Sequence, residues 1–500
     1  MELSEILKKL ELARIDYWEN VDYFLNFRLK WRAQMVRHLF HVLPGETILE
    51  LGSAAGQWSN EIVQLTKGVN PICAATFDPD CYTIMKKKWI DEPIEAILLD
   101  GFPSKLKNRK FDFIIGWHLL TNDENCSLLF EVKKLLKPGG QILFFEPNPW
   151  NIYFNSRMLF SRLMPFLRNK NNYYFRPRNK IQLLTIISEI GYTGIKILPY
   201  DFLYPPIPKK LLWPMQNLSL ILENTPYLRN FAGALYIWAQ NPPSENWKRP
   251  IINLTKHDSL KGKVSVIVPC HNEEKNITPL IEHLIGYYDE YIVEIIIVDD
   301  NSVDKTAEIT EALSGAYPKV QLIRRSMPNG VGRALRDGLG VANGKYILML
   351  DCDFQHILPE ITDLFDAIVD GADVAIGSRF SRNSVLLNYA FTKILANRGF
   401  HILANFLLKE HFRDISNNLK LMKREVAKRL KIESNGFSAN AETGLLPILQ
   451  GYNVKEVPIS WINRSVNMGF SSFNLARTGP YYFLVLCKLF FRKLREKRLD

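Results

Sequence analysis

The chain has 500 residues, 47% of them hydrophobic and 23% charged, with a formal net charge of +11. That hydrophobic share excludes an intrinsically disordered chain, and the length predicts two to four domains at roughly 100–200 residues each. The positive surplus suits acidic partners such as nucleotides, lipid phosphates or an anionic membrane and discriminates among none of them; no interleaving of basic and aromatic residues supports nucleic-acid binding.

In chain order, residues 1–43 read as helices, with Leu3, Ile6, Leu7 and Leu10 at helical spacing, and Pro44-Gly45 stops them. Apolar runs at 47–51, 72–77, 94–99, 111–116 and 141–146 then alternate with helical stretches. Such alternation predicts a parallel sheet covered on both faces. Residues 147–230, rich in aromatics and proline, read as a helical insertion before a last strand at 234–240. Residues 243–262 are polar and lose all periodicity, as a linker does. A fresh α/β rhythm begins at Val264, with strands expected at 264–269, 293–299, 320–324, 346–351 and 374–377. The expectation is an α/β protein of two domains, 1–242 and 263–500.

The six cysteines form no CxxC pair and read as reduced thiols of a cytosolic protein. The first twelve residues alternate charged with apolar side chains, unlike a signal peptide. No run of about 18 clean apolar residues occurs; the stretch 385–408 is interrupted by Lys393 and Arg398, and 479–490 is short. The chain is therefore expected not to span a membrane. The amphipathic 385–408, and the apolar 480–491 followed by the basic cluster 492–498, suit either an anionic cytoplasmic leaflet or a core-packed helix with a solvated basic end.

Residues 47–56 read TILELGSAAG. A buried strand ends at Glu50, and Gly52 and Gly56 allow a tight turn into a helix, with close backbone approach to a ligand. The next strand ends in Phe77-Asp78-Pro79-Asp80, the third in Leu99-Asp100-Gly101, the fourth at Gly116-Trp117-His118, and a Lys137-Pro138-Gly139-Gly140 turn follows. An acid after the second strand suits ribose hydroxyls. This succession resembles the class I S-adenosylmethionine-dependent methyltransferases over about residues 40–240. The resemblance implies that Glu50, Gly52 and Gly56 bind the methionine end of S-adenosylmethionine, that Asp78 takes the ribose, with Asp80 or Thr76 as the alternative, and that Asp100 sits by the adenine. Such loops usually carry a middle glycine where this chain has Ala54, which fits if its φ is negative. His118 reads either as a base or as a pocket-lining residue, and 146–150 either lines an acceptor pocket or is a plain loop.

In the second half, VSVIVPCHNE (264–273) runs from a buried strand into polar residues, and VDDNSVDKT (298–306) places Asp299 and Asp300 at a strand's carboxyl end, where open α/β sheets bind ligands. LMLDCDFQH (348–356) carries Asp351 and Asp353, an Asp-x-Asp pair whose hard oxygens suit Mg²⁺ or Mn²⁺ with a diphosphate. These phrases, with NGVGRALRDG and GSRF, resemble the family 2 glycosyltransferases of GT-A fold, nearest the dolichol-phosphate mannosyltransferase group, over about 263–470. The resemblance implies a nucleotide-sugar donor held by Pro269, Glu273, Asp299 and Asp300. It implies a metal and diphosphate at Asp351, Asp353 and Gln355, acceptor contacts from Arg379, Lys393 and Asn397, and a further catalytic cation, Arg464. Departures fall at 415–419, Ile-Ser-Asn-Asn-Leu where a Thr-Ser-Gly-Phe phrase is common, and at 471–473, where a Ser-Lys phrase is usual. The sequence thus predicts a fusion of a methyltransferase with a metal-dependent, inverting hexosyltransferase acting on a lipid phosphate or glycan lipid at the cytoplasmic membrane surface. The second reading makes the first half a non-catalytic module that positions or regulates the transferase.

Overall fold

The computed structural model describes residues 5–12, 23–120, 127–153, 155–156, 177–203, 207–244, 249, 257–353, 355–381, 384–387, 389–462 and 474–496. They fall into two compact units, 1–250 and 251–500.

The first unit opens with a short helix over 5–12 and the helix Tyr23–Phe40. Its sheet comprises β1 (Ile48–Leu51), β2 (Ile72–Thr76), β3 (Ile94–Leu98), β4 (Phe111–Trp117), β5 (Leu136–Pro147), β6 (Thr193–Tyr200) and β7 (Ala234–Gln240). The order is β3-β2-β1-β4-β5-β7-β6. Strands β1 to β5 are parallel, and β7 runs antiparallel to both β5 and β6. Strands β1 and β2 are buried throughout, which is why they read as unbroken apolar runs rather than alternating ones. β6 corrects the sequence reading: a strand stands inside the segment expected to be a helical insertion.

The second unit holds β8 (Val264–Cys270), β9 (Ile292–Asp299), β10 (Val320–Arg324), β11 (Tyr346–Met349), β12 (Val374–Ser378), β13 (Val385–Leu387), β14 (Lys420–Lys423), β15 (Val454–Pro458) and β16 (Ser460–Ile462). Its main sheet is ordered β10-β9-β8-β11-β14-β12-β15, with β14 antiparallel to both neighbours; β13 and β16 form a small parallel pair. β8 to β11 are parallel, so the loops after β8, β9 and β11 emerge at one edge of the sheet. This is the carboxyl edge, where such sheets bind ligands. The helices Phe391–Leu408 and Leu475–Glu496 pack on each other. Each buries one side in the core, through Ala404 and Leu408 and through Val485, Leu486 and Leu489. Each leaves apolar residues on its other side: Leu395, Ile402 and Phe406, and Tyr481, Phe483, Leu484 and Phe491. No described helix is long and apolar enough to cross a membrane.

Two features fall within 243–262. Arg249 reaches back to Glu46 in a two-pronged ion pair of 2.6 and 2.7 Å and donates to the His41 carbonyl. Residues Asp258–Leu260 form a 3-10 turn with Leu260 buried.

Candidate functional site

In the first unit, parallel pairing brings the loop after β1, the end of β2 and the end of β4 to the same edge of the sheet. Glu50 is buried and accepts from Ser59 Oγ at 2.5 Å. Gly52 and Gly56 have φ of 63° and 75°, as the turn requires. Ala54 has φ 46°, so the condition of a negative φ is not met. The loop keeps a glycine-like backbone at a strain of roughly 1–2 kcal/mol. Asp78 caps the helix Pro79–Lys88, its Oδ2 accepting from the Asp80 and Cys81 amides. Asp100 lies exposed and pairs with Lys105, apart from the buried residues at the strand ends. His118, at φ 56°, is held after β4 by its amide bond to the Phe145 carbonyl. Glu146 Oε1 accepts from the Leu119 and Leu120 amides and so shapes that turn.

Sequence reasoning passed over one residue here. Glu11 is fully buried, and its two carboxylate oxygens accept from the Ala54 amide at 2.7 Å and the Phe77 amide at 2.6 Å. These are backbone donors after β1 and β2, the places a nucleoside cofactor addresses. The available signal was an acid on the apolar face of the first helix, one residue beyond Leu10 and four beyond Leu7. A second buried group, Arg28 and Arg32 on Asp201, lies against Trp117 at the end of β4.

In the second unit a single cavity of about 650 Å³ gathers the strand-end residues. Pro269, Glu273 and Asp300 are among its lining residues. Asp300 accepts from the Gly330 amide at 2.6 Å and pairs with Arg325. Asp299 is buried beside it and stays off the cavity lining, its Oδ2 meeting the Ser302 amide at 3.4 Å. Asp351 and Asp353 also line it, and Asn418 donates to Asp351 Oδ1 at 2.7 Å. Gln355 begins a 3-10 turn; its side chain, and Arg464, lie outside the described residues. Among the described residues no group of three acids, histidines or cysteines assembles. Two carboxylates alone leave a divalent cation's shell incomplete, so Asp351 and Asp353 could hold one only in company with further oxygens, such as those of a diphosphate.

Arg379, Lys393 and Asn397 line the same cavity. Arg379 makes three bonds to the buried Asp414, of 3.0, 2.6 and 2.9 Å, and a fourth to Tyr389. Burial opposes charge on both partners, yet their attraction outweighs it: Asp414 is held below the usual carboxylate range and Arg379 above its usual value. Asn397 donates to Asp414 and Ser416. The lining also includes apolar side chains: Ala396, Phe400 and Leu403 of one helix and Leu475 and Phe483 of the other.

Lys420 and His401 were not anticipated. Lys420 is fully buried and bonds the carbonyls of Asn417 and Asn440; burial pulls its amine down to about 7 against the attraction of Asp414 and Asp351. His401 lies beneath Asp414, 3.8 Å away.

Comparison with known proteins follows the same division. Residues 265–431 match the family described as Glycosyl transferase family 2, and residues 17–191 match one described as a methyltransferase domain. A polyprenol monophosphomannose synthase of Mycolicibacterium smegmatis is 30% identical over 210 residues, 41% of this chain and 78% of its own length. A dolichol-phosphate mannosyltransferase of Pyrococcus furiosus is 33% identical over 178 residues, 35% of this chain; the match spans only 50% of that relative's length. A solved glucosyl-3-phosphoglycerate synthase of Mycobacterium tuberculosis, in complex with uridine diphosphate, aligns at 18% identity with a TM-score of 0.38, covering 48% of this chain and 86% of that one.

Proposed function

Because the chain belongs to glycosyl transferase family 2 through residues 265–431 and carries a methyltransferase domain before it, we propose that its second unit moves a hexose, with inversion, from a nucleotide sugar to a lipid phosphate or glycan lipid. The observation that carries this is the make-up of this cavity, whose lining combines the acids Glu273, Asp300, Asp351 and Asp353, the cations Arg379 and Lys393, and apolar side chains of two helices. A sugar nucleotide needs the first, a phosphate the second and a lipid chain the third.

In this reading Glu273 and Asp300 bind the nucleoside, while Asp351 and Asp353, with Gln355, hold Mg²⁺ or Mn²⁺. When bound, the cation offsets charge on the departing diphosphate. Arg379, fixed by Asp414, and Lys393 orient the acceptor phosphate. An ionised phosphate needs no general base, so alignment supplies most of the acceleration. The phosphate oxygen bonds to the anomeric carbon as the bond to the diphosphate oxygen breaks. The exposed apolar side chains of the helices 391–408 and 475–496, beside Arg492, Lys493 and Arg495, suit docking on the cytoplasmic face of a membrane.

The first unit, on the same proposal, binds S-adenosylmethionine against Glu50 and Gly52–Gly56, with Asp78 near the ribose, and methylates a small molecule or a glycan or lipid of the same pathway. S-adenosylmethionine supplies an electrophilic methyl group; the chain's part is to hold the acceptor in line with it, beside His118. Glu11 on the loop amides and the strained Ala54 favour the second reading, a positioning or regulatory module. The limits proposed from sequence are 1–242 and 263–500 with a linker between, although Arg249 bonds Glu46 of the first unit and Leu260 is buried.

The test uses the whole protein. UDP- and GDP-sugars are screened for diphosphate release with and without Mn²⁺ and a short polyprenyl phosphate. Mn²⁺-dependent release stimulated by the lipid is expected, and Asp353→Ala should lose it by at least about a hundredfold. A fully active Asp353→Ala refutes the metal assignment, and release indifferent to lipid refutes the acceptor. Calorimetry of the same protein with S-adenosylmethionine separates the two readings of the first unit: absence of binding removes the methyltransferase.

A further inference from the structure

Asn418 stands in the segment 415–419 that departs from the Thr-Ser-Gly-Phe phrase, where a glycine has no side chain to offer. Its Nδ2 lies 2.7 Å from Asp351 Oδ1. A carboxylate only accepts, so the amide must present its NH₂ to Asp351 and turn its carbonyl oxygen away. That oxygen is buried and accepts no hydrogen bond among the described residues. An orphaned acceptor of this kind is unfavourable, so local stability alone does not explain the arrangement.

The same short segment is pinned from several sides. Asn417 Nδ2 donates to the Gly377 carbonyl at 2.8 Å, and Ser416 meets Asp414 and Asn397. Lys420 ties the carbonyls of Asn417 and Asn440. Gly444 leaves the segment its room: a Cβ there would lie 2.2 Å from the Ile415 carbonyl oxygen. Asn418 is thus a rigidly mounted donor aimed at the first acid of the Asp-x-Asp pair. Through the Asp414–Lys420 segment it joins that acid to the Arg379–Asp414 pair.

We propose that Asn418 is a positioning residue that fixes the Asp351 carboxylate for the cation and diphosphate of the donor. The proposal rests on the nucleotide-sugar reading of this cavity. The bond occupies one lone pair of Oδ1 and stops the carboxylate from turning, so Asp351 meets the cation already oriented. Without it the cation must order Asp351 itself, and affinity falls. A hydrogen bond to a charged group corresponds to roughly a tenfold change or more in affinity.

The test measures Mn²⁺ binding by electron paramagnetic resonance to the full chain, with UDP and with GDP, for the wild type, Asn418→Ala and Asn418→Gly. Metal-free affinity for the same nucleotides is measured by calorimetry. Both variants should bind Mn²⁺ about tenfold more weakly in the presence of the diphosphate that the wild type prefers, with metal-free nucleotide affinity changed less than about twofold. Unchanged Mn²⁺ affinity overturns the proposal. So does a parallel fall in metal-free nucleotide affinity, which a merely structural role would give. If the wild type binds neither diphosphate with Mn²⁺, the nucleotide-sugar reading itself fails, and the proposal with it.

Discussion

His401 makes the second unit sensitive to acid in a defined window. It is fully buried. The Ile415 amide, which only donates, lies 3.0 Å from Nε2, so Nε2 carries the lone pair and Nδ1 donates to the Asn397 carbonyl at 2.7 Å. Burial lowers its pKa to about 4, although the neighbouring Asp414 pulls the other way. The unfolded chain has a histidine near 6.5. Between pH 6.5 and 4 the unfolded state binds the extra proton and the folded state does not, so stability falls as pH falls through that window. At pH 5 the unfolded histidine is almost wholly charged and the folded one almost wholly neutral, a penalty of about 2 kcal/mol relative to pH 7.5. His401→Gln keeps an acceptor for Ile415 and does not titrate. Urea unfolding of both proteins at pH 7.5 and 5.0 should show the wild type losing about 2 kcal/mol more than the variant, since carboxylates common to both cancel. Equal losses refute the assignment of a buried, neutral His401.

Asp414→Asn leaves Arg379 buried without its partner and should destabilise the second unit by about 3–5 kcal/mol, read by thermal unfolding; a loss under about 1 kcal/mol shows that the pair is solvated. Gly330 has φ 154°, and a Cβ there would lie 2.2 Å from the Asn435 carbonyl oxygen. Gly330→Ala should therefore lower stability by about 1–3 kcal/mol and loosen Asp300, with weaker UDP or GDP binding in calorimetry. Glu50→Ala should weaken S-adenosylmethionine binding at least about tenfold, and undiminished affinity removes Glu50 from the proposed cofactor site.

The strands that carry the sites were legible because each is buried on both faces and reads as a short apolar run closed by Gly, Pro or Asp. β6 was not, because TGIKILPY mixes glycine, lysine and proline and is only partly buried. β14 was hidden for a different reason: KLMK is bounded by lysines, and one of them, Lys420, is buried on backbone carbonyls that no local pattern announces. Within the sites, the acids at strand ends were legible, since position along a strand fixes where they emerge. Glu11, Asn418 and His401 were not. Each works by reaching a residue far along the chain, 43, 67 and 14 positions away, and such closures follow from the fold rather than from spacing.

The Arg249–Glu46 pair decides where the polypeptide can be divided. Glu46 also takes the Leu43 amide, and Asn70 bonds the carbonyls of Leu43 and Glu46, so this carboxylate and Asn70 together hold the turn into β1. A fragment ended at residue 242, where sequence periodicity stops, discards Arg249 and leaves Glu46 without that counter-charge at the entry to β1. One ended at 250 keeps the clasp. On the other side, the His257 amide donates to Tyr291 Oη and Leu260 is buried, so a fragment begun at 263 uncovers what one begun before 257 retains.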